Sequence, residues 1–215
     1  MIKRKSALKW GIPLGILLIT FITMIRYFEI NPFRNHLVFD DWEIPTHLQL
    51  EVGDIVFRTA YGKESRMVTL LSGGDYSHIA VITDITPEIM VTHATTNDNP
   101  DKLNQVLLTP ITEFLSPTFA KRFEIVRPNF LSHQEKSHFG QSVREKVGEA
   151  YVLLERELDN LYCTTLLEVP LKTLIPALNL QWQQVDIPGL NGEYLFPDAF
   201  LELPQMHSLF KQVNE

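Results

Sequence analysis

The only cysteine of this 215-residue chain and two of its seven histidines could together perform nucleophilic catalysis. A cysteine attacks a carbonyl carbon as its thiolate, and a neighbouring imidazole or a helix N-terminus favours that thiolate. Cys163, His78 and His93 therefore form a candidate triad of nucleophile, general base and a residue that orients the base. We expect Cys163 to be a thiolate of lowered pKa, paired with His78.

Cys163 is predicted to lie in the first turn of a helix. Asp159 and Asn160 are residue types that cap helix N-termini, and the apolar run from Leu161 to Val169 follows them. Pro170 can interrupt or kink this helix. The positive end of the helix dipole would favour the thiolate, and the backbone amides there could stabilise an oxyanion.

His78 and His93 are predicted to lie on two paired strands. Residues 79–82 and 89–94 are mostly apolar, and Thr86-Pro87-Glu88 between them is typical of a turn. Side chains alternate along a strand, so pairing across the turn can place both imidazoles on one face and close together. The sequence therefore predicts an antiparallel hairpin that holds the base and its orienting residue.

Other elements are indicated by periodicity and caps. Helices are predicted over 65–71, 110–115 and 132–147, and strands over 105–109 and 123–127. The helix over 132–147 has the clearest signals, since Ser132 and Glu135 form a capping box and Gly148 stands where a helix would stop.

Short motifs occur in a fixed order along the chain. They are Gly53-Asp54-Ile55-Val56-Phe57, Tyr76-Ser77-His78, His93-Ala94 and Tyr162-Cys163-Thr164. In this order they resemble the circularly permuted papain-like hydrolases of the NlpC type, relatives of the lecithin retinol acyltransferases. Most papain-like enzymes have the cysteine first, whereas here the histidines precede it. The resemblance covers roughly Leu48 to the C-terminus, and residues 192–198 match the family's terminal segment more weakly.

The resemblance implies an α+β fold with a permuted papain-like core, in which a mostly antiparallel sheet packs on helices. It also implies a cysteine-dependent amide or acyl hydrolase that acts through a thioester intermediate. The residues beside the catalytic pair are candidates for lining the substrate cleft: Tyr76, Ser77, Tyr162 and Thr164.

Two positions depart from the family pattern. Thr165 stands where many members carry an acidic residue, and His93 stands where others carry glutamate. A histidine in the third place is closer to the acyltransferase relatives. The sequence therefore does not decide whether the bond cleaved is a peptide, another amide or a lipid acyl bond. A lipid acyltransferase of the same fold, or a non-catalytic membrane-anchored binding module that retains the cleft, are the alternatives.

The N-terminal segment predicts a membrane anchor. Four basic residues precede the uncharged run from Trp10 to Ile25, and Arg26 closes it. At a rise of about 1.5 Å per residue, such a run approaches the thickness of the hydrocarbon core of a bilayer. A secretory signal peptide is the competing reading, but no small-x-small cleavage pattern follows the run. The basic flank places the N-terminus in the cytoplasm and the rest of the chain outside, on the periplasmic side in a Gram-negative cell.

Three segments follow from these observations. Residues 1–27 form the cytoplasmic N-terminus and transmembrane anchor, residues 28–47 a linker, and residues 48–215 the catalytic domain. The last segment has the length of one domain with its own core.

Charge and motif content restrict the partners. The formal net charge is −7, which makes a nucleic-acid surface improbable and leaves a cell-envelope amide or lipid as the expected substrate. Neither a phosphate-binding loop nor a dinucleotide-binding motif is present, so no cofactor is expected. A zinc site of His78, His93 and Cys163 would use legitimate ligands but ranks below the triad. The sequence does not indicate an oligomeric state.

Overall fold

The computed structural model describes residues 44–45 and 47–213. These residues fall in one compact unit, which contains eight β-strands, four α-helices and a short 3₁₀ helix. The strands are β1 (Ile55–Ala60), β2 (His78–Asp84), β3 (Met90–Thr95), β4 (Gln105–Pro110), β5 (Ala120–Pro128), β6 (Trp182–Ile187), β7 (Leu190–Leu195) and β8 (Met206–Val213). The helices are α1 (Lys63–Ser72), α2 (Ile111–Phe114), α3 (His133–Arg144) and α4 (Thr165–Leu174), and the 3₁₀ helix is Pro197–Phe200.

The predicted α+β class is confirmed. Six strands form an antiparallel sheet in the order β4-β3-β2-β1-β5-β8, and β6 pairs with β7 in a separate antiparallel hairpin. Each connection along the β1-β2-β3-β4 part of the sheet joins strands that are neighbours, which keeps the segment carrying both candidate histidines continuous in space.

Because side chains alternate along the strands, the hydrophobic core has two parts, one on each face of the sheet. On one face, Ile55, Phe57, Ile79 and Val81 pack with buried side chains of α3 and α4. On the other face, Val56, Ala80, Ile82 and Val91 pack with Ile111 and Phe114 of α2. Each central strand is therefore apolar on both sides, which explains its nearly continuous apolar sequence.

The hairpin predicted around the turn at Thr86-Pro87-Glu88 is confirmed. Strands β2 and β3 pair in antiparallel fashion, with Val81 opposite Thr92 and Ile82 opposite Val91. Continuing this register by one residue brings His93 beside Ala80, which shares its face of the sheet with His78 because side chains alternate. The two histidines are thus diagonal neighbours on one face.

Helix α4 begins later than predicted. Its N-cap is Thr164, so Cys163 immediately precedes the helix. The N–H of Tyr162 donates to the Thr165 hydroxyl at 2.9 Å, and the N–H of Leu166 donates to the Tyr162 carbonyl at 2.9 Å, which starts the helical bonding just ahead of the cysteine.

The predicted caps at Asp159 and Asn160 are therefore wrong. The Asn160 side chain instead donates to the carbonyls of Glu155 and Leu158 at 3.0 Å each, and so closes the preceding turn. Pro170 lies within α4 and does not end it.

The predicted anchor and most of the predicted linker lie outside the described residues. Among residues 44–45 and 47–213, no helix is long and apolar enough to cross a membrane.

The 3₁₀ helix contacts the turn that precedes β2 and His78. The Asp198 carboxylate accepts the N–H groups of Asp75 and Tyr76 at 2.8 and 3.1 Å. A side chain at Gly74 would overlap this carboxylate, so the glycine is required by close approach.

We expect Asp198→Ala to lower the free energy of unfolding by about 1–3 kcal/mol, because two backbone donors lose a charged acceptor. Urea unfolding followed by circular dichroism measures the change. Glu202→Ala removes an exposed carboxylate from the same segment and serves as the control. Equal stability of the two variants would contradict a structural role for Asp198.

Candidate functional site

Cys163 and His78 line the same cleft. The cleft has a volume of about 790 Å³, and both side chains are half-buried at its wall. Much of the remaining wall is apolar and comes from α1, from β7 and from the residue that follows it: Met67, Val68, Leu71, Leu190, Leu195 and Phe196. A partly exposed thiol and imidazole in a largely apolar cleft are the arrangement expected of a candidate active site.

A chain of hydrogen bonds runs from the cleft into the core. The His78 Nε2 atom lies 2.9 Å from His93 Nδ1, and His93 Nε2 lies 3.0 Å from the Thr109 hydroxyl on β4. His93 is fully buried, and its ring stands edge-on to Phe114 with 4.8 Å between the ring centroids. The predicted contact between the two histidines is thus present, and Thr109 extends it.

Burial and backbone amides shift the pKa of Cys163 in opposite directions. The amides of Ile79, Thr164 and Cys163 itself lower the pKa of the thiol. Burial has the larger effect and raises the pKa of Cys163 to about 12. Burial, aided by the positive charge of Arg58, lowers the pKa of His78 to about 3.

The expectation of a resting thiolate is therefore wrong. Near neutral pH, both the thiol of Cys163 and the imidazole of His78 are uncharged, because each would lose solvation on ionising. The two groups can still act as nucleophile and general base if the proton moves during the attack.

Arg58 and Asp98 lie next to the histidines and were not predicted. Arg58 is opposite His78 in the register of β1 and β2, and its guanidinium forms an ion pair with Asp98. The Asp98 carboxylate lies 3.6 Å from His93 Nδ1. Although burial alone would raise the pKa of Asp98, Arg58 and the two histidines hold it at about 2.

Little in the sequence indicates that Arg58 and Asp98 belong to the site. Arg58 is a charged residue directly after the apolar Ile55-Val56-Phe57 of β1, a pattern that equally fits the end of a strand. Asp98 lies in a polar loop after β3, where nothing in the local sequence distinguishes it from Asn97 and Asn99.

The four predicted cleft residues divide into two groups. Ser77 and Tyr162 line the cleft. Tyr76 is buried elsewhere and donates its hydroxyl to Glu124 at 2.7 Å. Thr164 is also buried away from the cleft, and its hydroxyl donates to the Leu195 carbonyl at 2.9 Å.

Three side chains have potential metal-ligand atoms close together. One atom each of His78, His93 and Asp98 lies within 4.8 Å of the others. Within the part of the chain that the structure describes, Cys163 does not join the histidines in such a group, so the alternative zinc site considered above is not formed.

No protein-family model and no curated protein matches this sequence. Among solved structures, the fold is similar to the crystal structure of the metalloprotein yiiX from Escherichia coli O157:H7, described as DUF1105. The TM-score is 0.63 at 18% sequence identity, and the match covers 77% of this chain and 99% of that chain. A likeness at this identity shows a shared α+β fold.

The neutral thiol predicts slow alkylation. At pH 7, iodoacetamide should modify Cys163 at least about tenfold more slowly than an ordinary exposed thiol, with the rate rising steeply above pH 9, because only the thiolate reacts. Intact-mass spectrometry follows the reaction. The same chain unfolded in urea provides the control, since its one cysteine is then exposed. If the folded chain were labelled faster than the unfolded chain at pH 6–7, the Cys163 thiol would not be neutral in the folded state.

The lowered pKa values of His78 and His93 predict a loss of stability in acid. Burial lowers the pKa of His93 well below its ordinary value, as it does for His78. The unfolded chain binds protons on these groups below about pH 6.5 while the folded chain does not. The free energy of unfolding should therefore fall between pH 7 and 4, by up to about 1.4 kcal/mol per pH unit for each histidine.

Urea unfolding at a series of pH values measures this slope. His93→Gln should have a shallower slope than the unsubstituted chain, because one buried imidazole is gone. The exposed His138 provides the matched control, and His138→Gln should keep the original slope. An unchanged slope in His93→Gln would show that His93 is free to protonate in the folded state.

Proposed function

We propose that this chain is a cysteine-dependent amide or acyl hydrolase that acts on a cell-envelope substrate. Cys163 is the nucleophile, His78 is the general base and acid, and His93 orients His78. The observation that carries the proposal is that Cys163 and His78 line one cleft while His78 Nε2 lies 2.9 Å from His93 Nδ1. This hydrogen bond engages one nitrogen of His78 and leaves Nδ1 for proton transfer.

The contact with Thr109 is compatible with the tautomers that this role requires. If the His93 Nε2–H donates to the Thr109 hydroxyl, His93 Nδ1 has a lone pair and accepts the Nε2–H of His78. His78 Nδ1 then has its own lone pair and can accept the thiol proton. With these tautomers, His78 is in the form that accepts a proton, and none of the three side chains is charged.

The reaction proceeds by acyl transfer through a thioester. The thiol proton of Cys163 moves to His78 Nδ1 while sulfur bonds to the substrate carbonyl carbon, and the carbonyl oxygen becomes an oxyanion. The carbon–nitrogen or carbon–oxygen bond then breaks, and the leaving group takes the proton from His78. Water attacks the thioester by the same route and releases the acid and the thiol.

Backbone amides favour the charge that develops at sulfur. The N–H groups of Ile79, Thr164 and Cys163 point at this atom, and hydrogen bonds to a developing anion are stronger than those to a neutral group. Proton transfer during the attack therefore avoids a free buried thiolate, which burial disfavours.

We further propose that the fold is the permuted papain-like core suggested by the motif order. An antiparallel sheet holds both histidines, and the cysteine follows them in sequence and immediately precedes a helix. Anchoring by residues 1–27 would place this domain outside the cytoplasm, near envelope amides and lipids. A lipid acyltransferase uses the same thioester and differs in its acceptor. A binding module would keep the cleft without turnover.

Metal binding is the competing use of the same residues. The structurally similar yiiX is described as a metalloprotein, and His78, His93 and Asp98 could together offer three ligands. However, the Asp98 carboxylate already pairs with the buried Arg58, whose positive charge would repel a divalent cation beside it. The charge distribution thus favours the thiol mechanism.

The proposal predicts the loss of hydrolysis in two variants. Cys163→Ser and His78→Ala should each lower kcat/KM for envelope-type amides and acyl esters by at least about a hundredfold, because each removes a group that takes part in proton transfer or bond formation. His138→Ala, at an exposed site on α3, should retain full activity. Circular dichroism confirms folding, and chelator should leave the activity unchanged.

Unchanged hydrolysis in both Cys163→Ser and His78→Ala would remove the thiol mechanism. Loss of activity on treatment with chelator, restored by Zn²⁺ and independent of Cys163, would favour metal-assisted hydrolysis. Absence of turnover, together with saturable binding of an amide or lipid in the cleft, would favour the binding module.

A further inference from the structure

We infer that Asp98 and Arg58 are positioning residues of this site, which stabilise the separated charges as the proton moves from Cys163 to His78. The inference rests on the proposed function. Asp98 acts on His78 when the imidazole carries the proton, and Arg58 acts on the sulfur when it becomes negative.

Arg58 is held rigidly beneath the cleft. Its side chain is only 2% exposed, and the guanidinium donates to the Phe114 carbonyl at 2.7 Å. The guanidinium carbon also lies 4.1 Å from the centre of the Phe114 ring. These contacts and the ion pair with Asp98 fix a positive charge beside His78, its partner in the strand register.

Asp98 places the opposite charge next to Arg58 and close to both histidines. Its Oδ2 atom is 3.6 Å from His93 Nδ1, and an oxygen of this carboxylate lies within 4.8 Å of a ring nitrogen of His78. Asp98 and Arg58 both line the cleft that contains Cys163. A carboxylate at this distance attracts an imidazolium without itself having to accept its proton.

Stability alone is a weak explanation for this pair. The Arg58 side chain is 2% exposed and that of Asp98 17%, and the desolvation of such charges commonly cancels much of their attraction. A buried ion pair beside a thiol and an imidazole instead changes the energy of charges that appear there. The position of the pair therefore indicates a role in the reaction.

The two charges have the signs that proton transfer requires. Arg58 lowers the pKa of the Cys163 thiol, and Asp98 raises the pKa of His78. Arg58 also lowers the pKa of His78, and this effect is larger than the opposing effect of Asp98, so Asp98 offsets only part of the repulsion between Arg58 and a protonated His78. His93 lies behind His78. The other titratable groups that line the cleft are Tyr61, Lys63, Glu64, Tyr151, Tyr162 and Tyr194. Burial raises the pKa of Tyr151 and Tyr162 and so keeps both hydroxyls neutral.

Asp98→Asn tests the role of the carboxylate. We expect kcat to fall about ten- to a hundredfold while KM changes less than about threefold, because the carboxylate acts on proton transfer rather than on substrate binding. Asp98→Glu should recover part of kcat by restoring the charge. Asp84→Asn removes the carboxylate of an exposed ion pair at the other end of β2 and should leave kcat unchanged.

A second variant separates this effect from folding. Asp98→Asn leaves Arg58 buried without its partner, so Arg58→Gln/Asp98→Asn removes both charges together. This double variant should be folded by circular dichroism and should remain slow in kcat. Arg58→Gln/Asp98→Asn with the kcat of the unsubstituted chain would show that the pair is structural, and the inference would be overturned.

Alkylation gives a readout that needs no substrate. In Arg58→Gln, iodoacetamide should modify Cys163 at pH 9 several-fold more slowly than in the unsubstituted chain, because the thiolate loses a nearby positive charge. An unchanged rate would overturn the role of Arg58.

If Cys163→Ser retains hydrolysis, the proposed function fails. If hydrolysis requires Cys163 but tolerates Asp98→Asn at full kcat, only the present inference fails.

Discussion

The hydrogen bond between His78 and His93 is the interaction on which the site depends. It requires both imidazoles on one face of adjacent strands, and the register of β2 and β3 provides this diagonal placement. His93 is in turn held by Thr109 on the next strand and by the ring of Phe114. The order of the sheet thus determines the orientation of the one imidazole that reaches the cleft.

Burial also determines the charge state of the site. The same packing that fixes the histidines keeps His78 neutral and raises the pKa of the Cys163 thiol to about 12. A neutral pair costs the fold less than a buried thiolate and imidazolium would, and the charges need to exist only while substrate is attached. In the proposed mechanism, the amide donors at the sulfur and the Arg58–Asp98 pair stabilise these charges while they exist.

The sequence predicted what local patterns determine. The β2–β3 hairpin followed from two apolar runs around Thr86-Pro87-Glu88, and the capping box of Ser132 and Glu135 opens α3 as expected. Helix α3 ends at Arg144 rather than near Val147. The N–H groups of Lys146 and Val147 bond three residues back, and that of Gly148 donates to the Val106 carbonyl of β4, so the helical bonding does not continue.

Two features of the site were missed for different reasons. The start of α4 is set by a local reciprocal contact between Tyr162 and Thr165, which the capping preference at Asp159 does not indicate. The partner of Arg58 is forty residues away in sequence, in a loop without distinctive signals. The direction of the pKa shift of Cys163 was predicted wrongly, because it depends on the loss of solvent around the thiol in the folded chain rather than on its neighbours in sequence.

The central claim is that Cys163 carries the acyl group, and intact-mass spectrometry after rapid mixing with an activated acyl ester tests it most directly. The mass should rise by one acyl group, peptide mapping should place that group on Cys163, and His78→Ala should slow its appearance by about a hundredfold or more. A protein that hydrolyses the ester without ever carrying the acyl group on Cys163, or that is acylated at the same rate without His78, would contradict the claim.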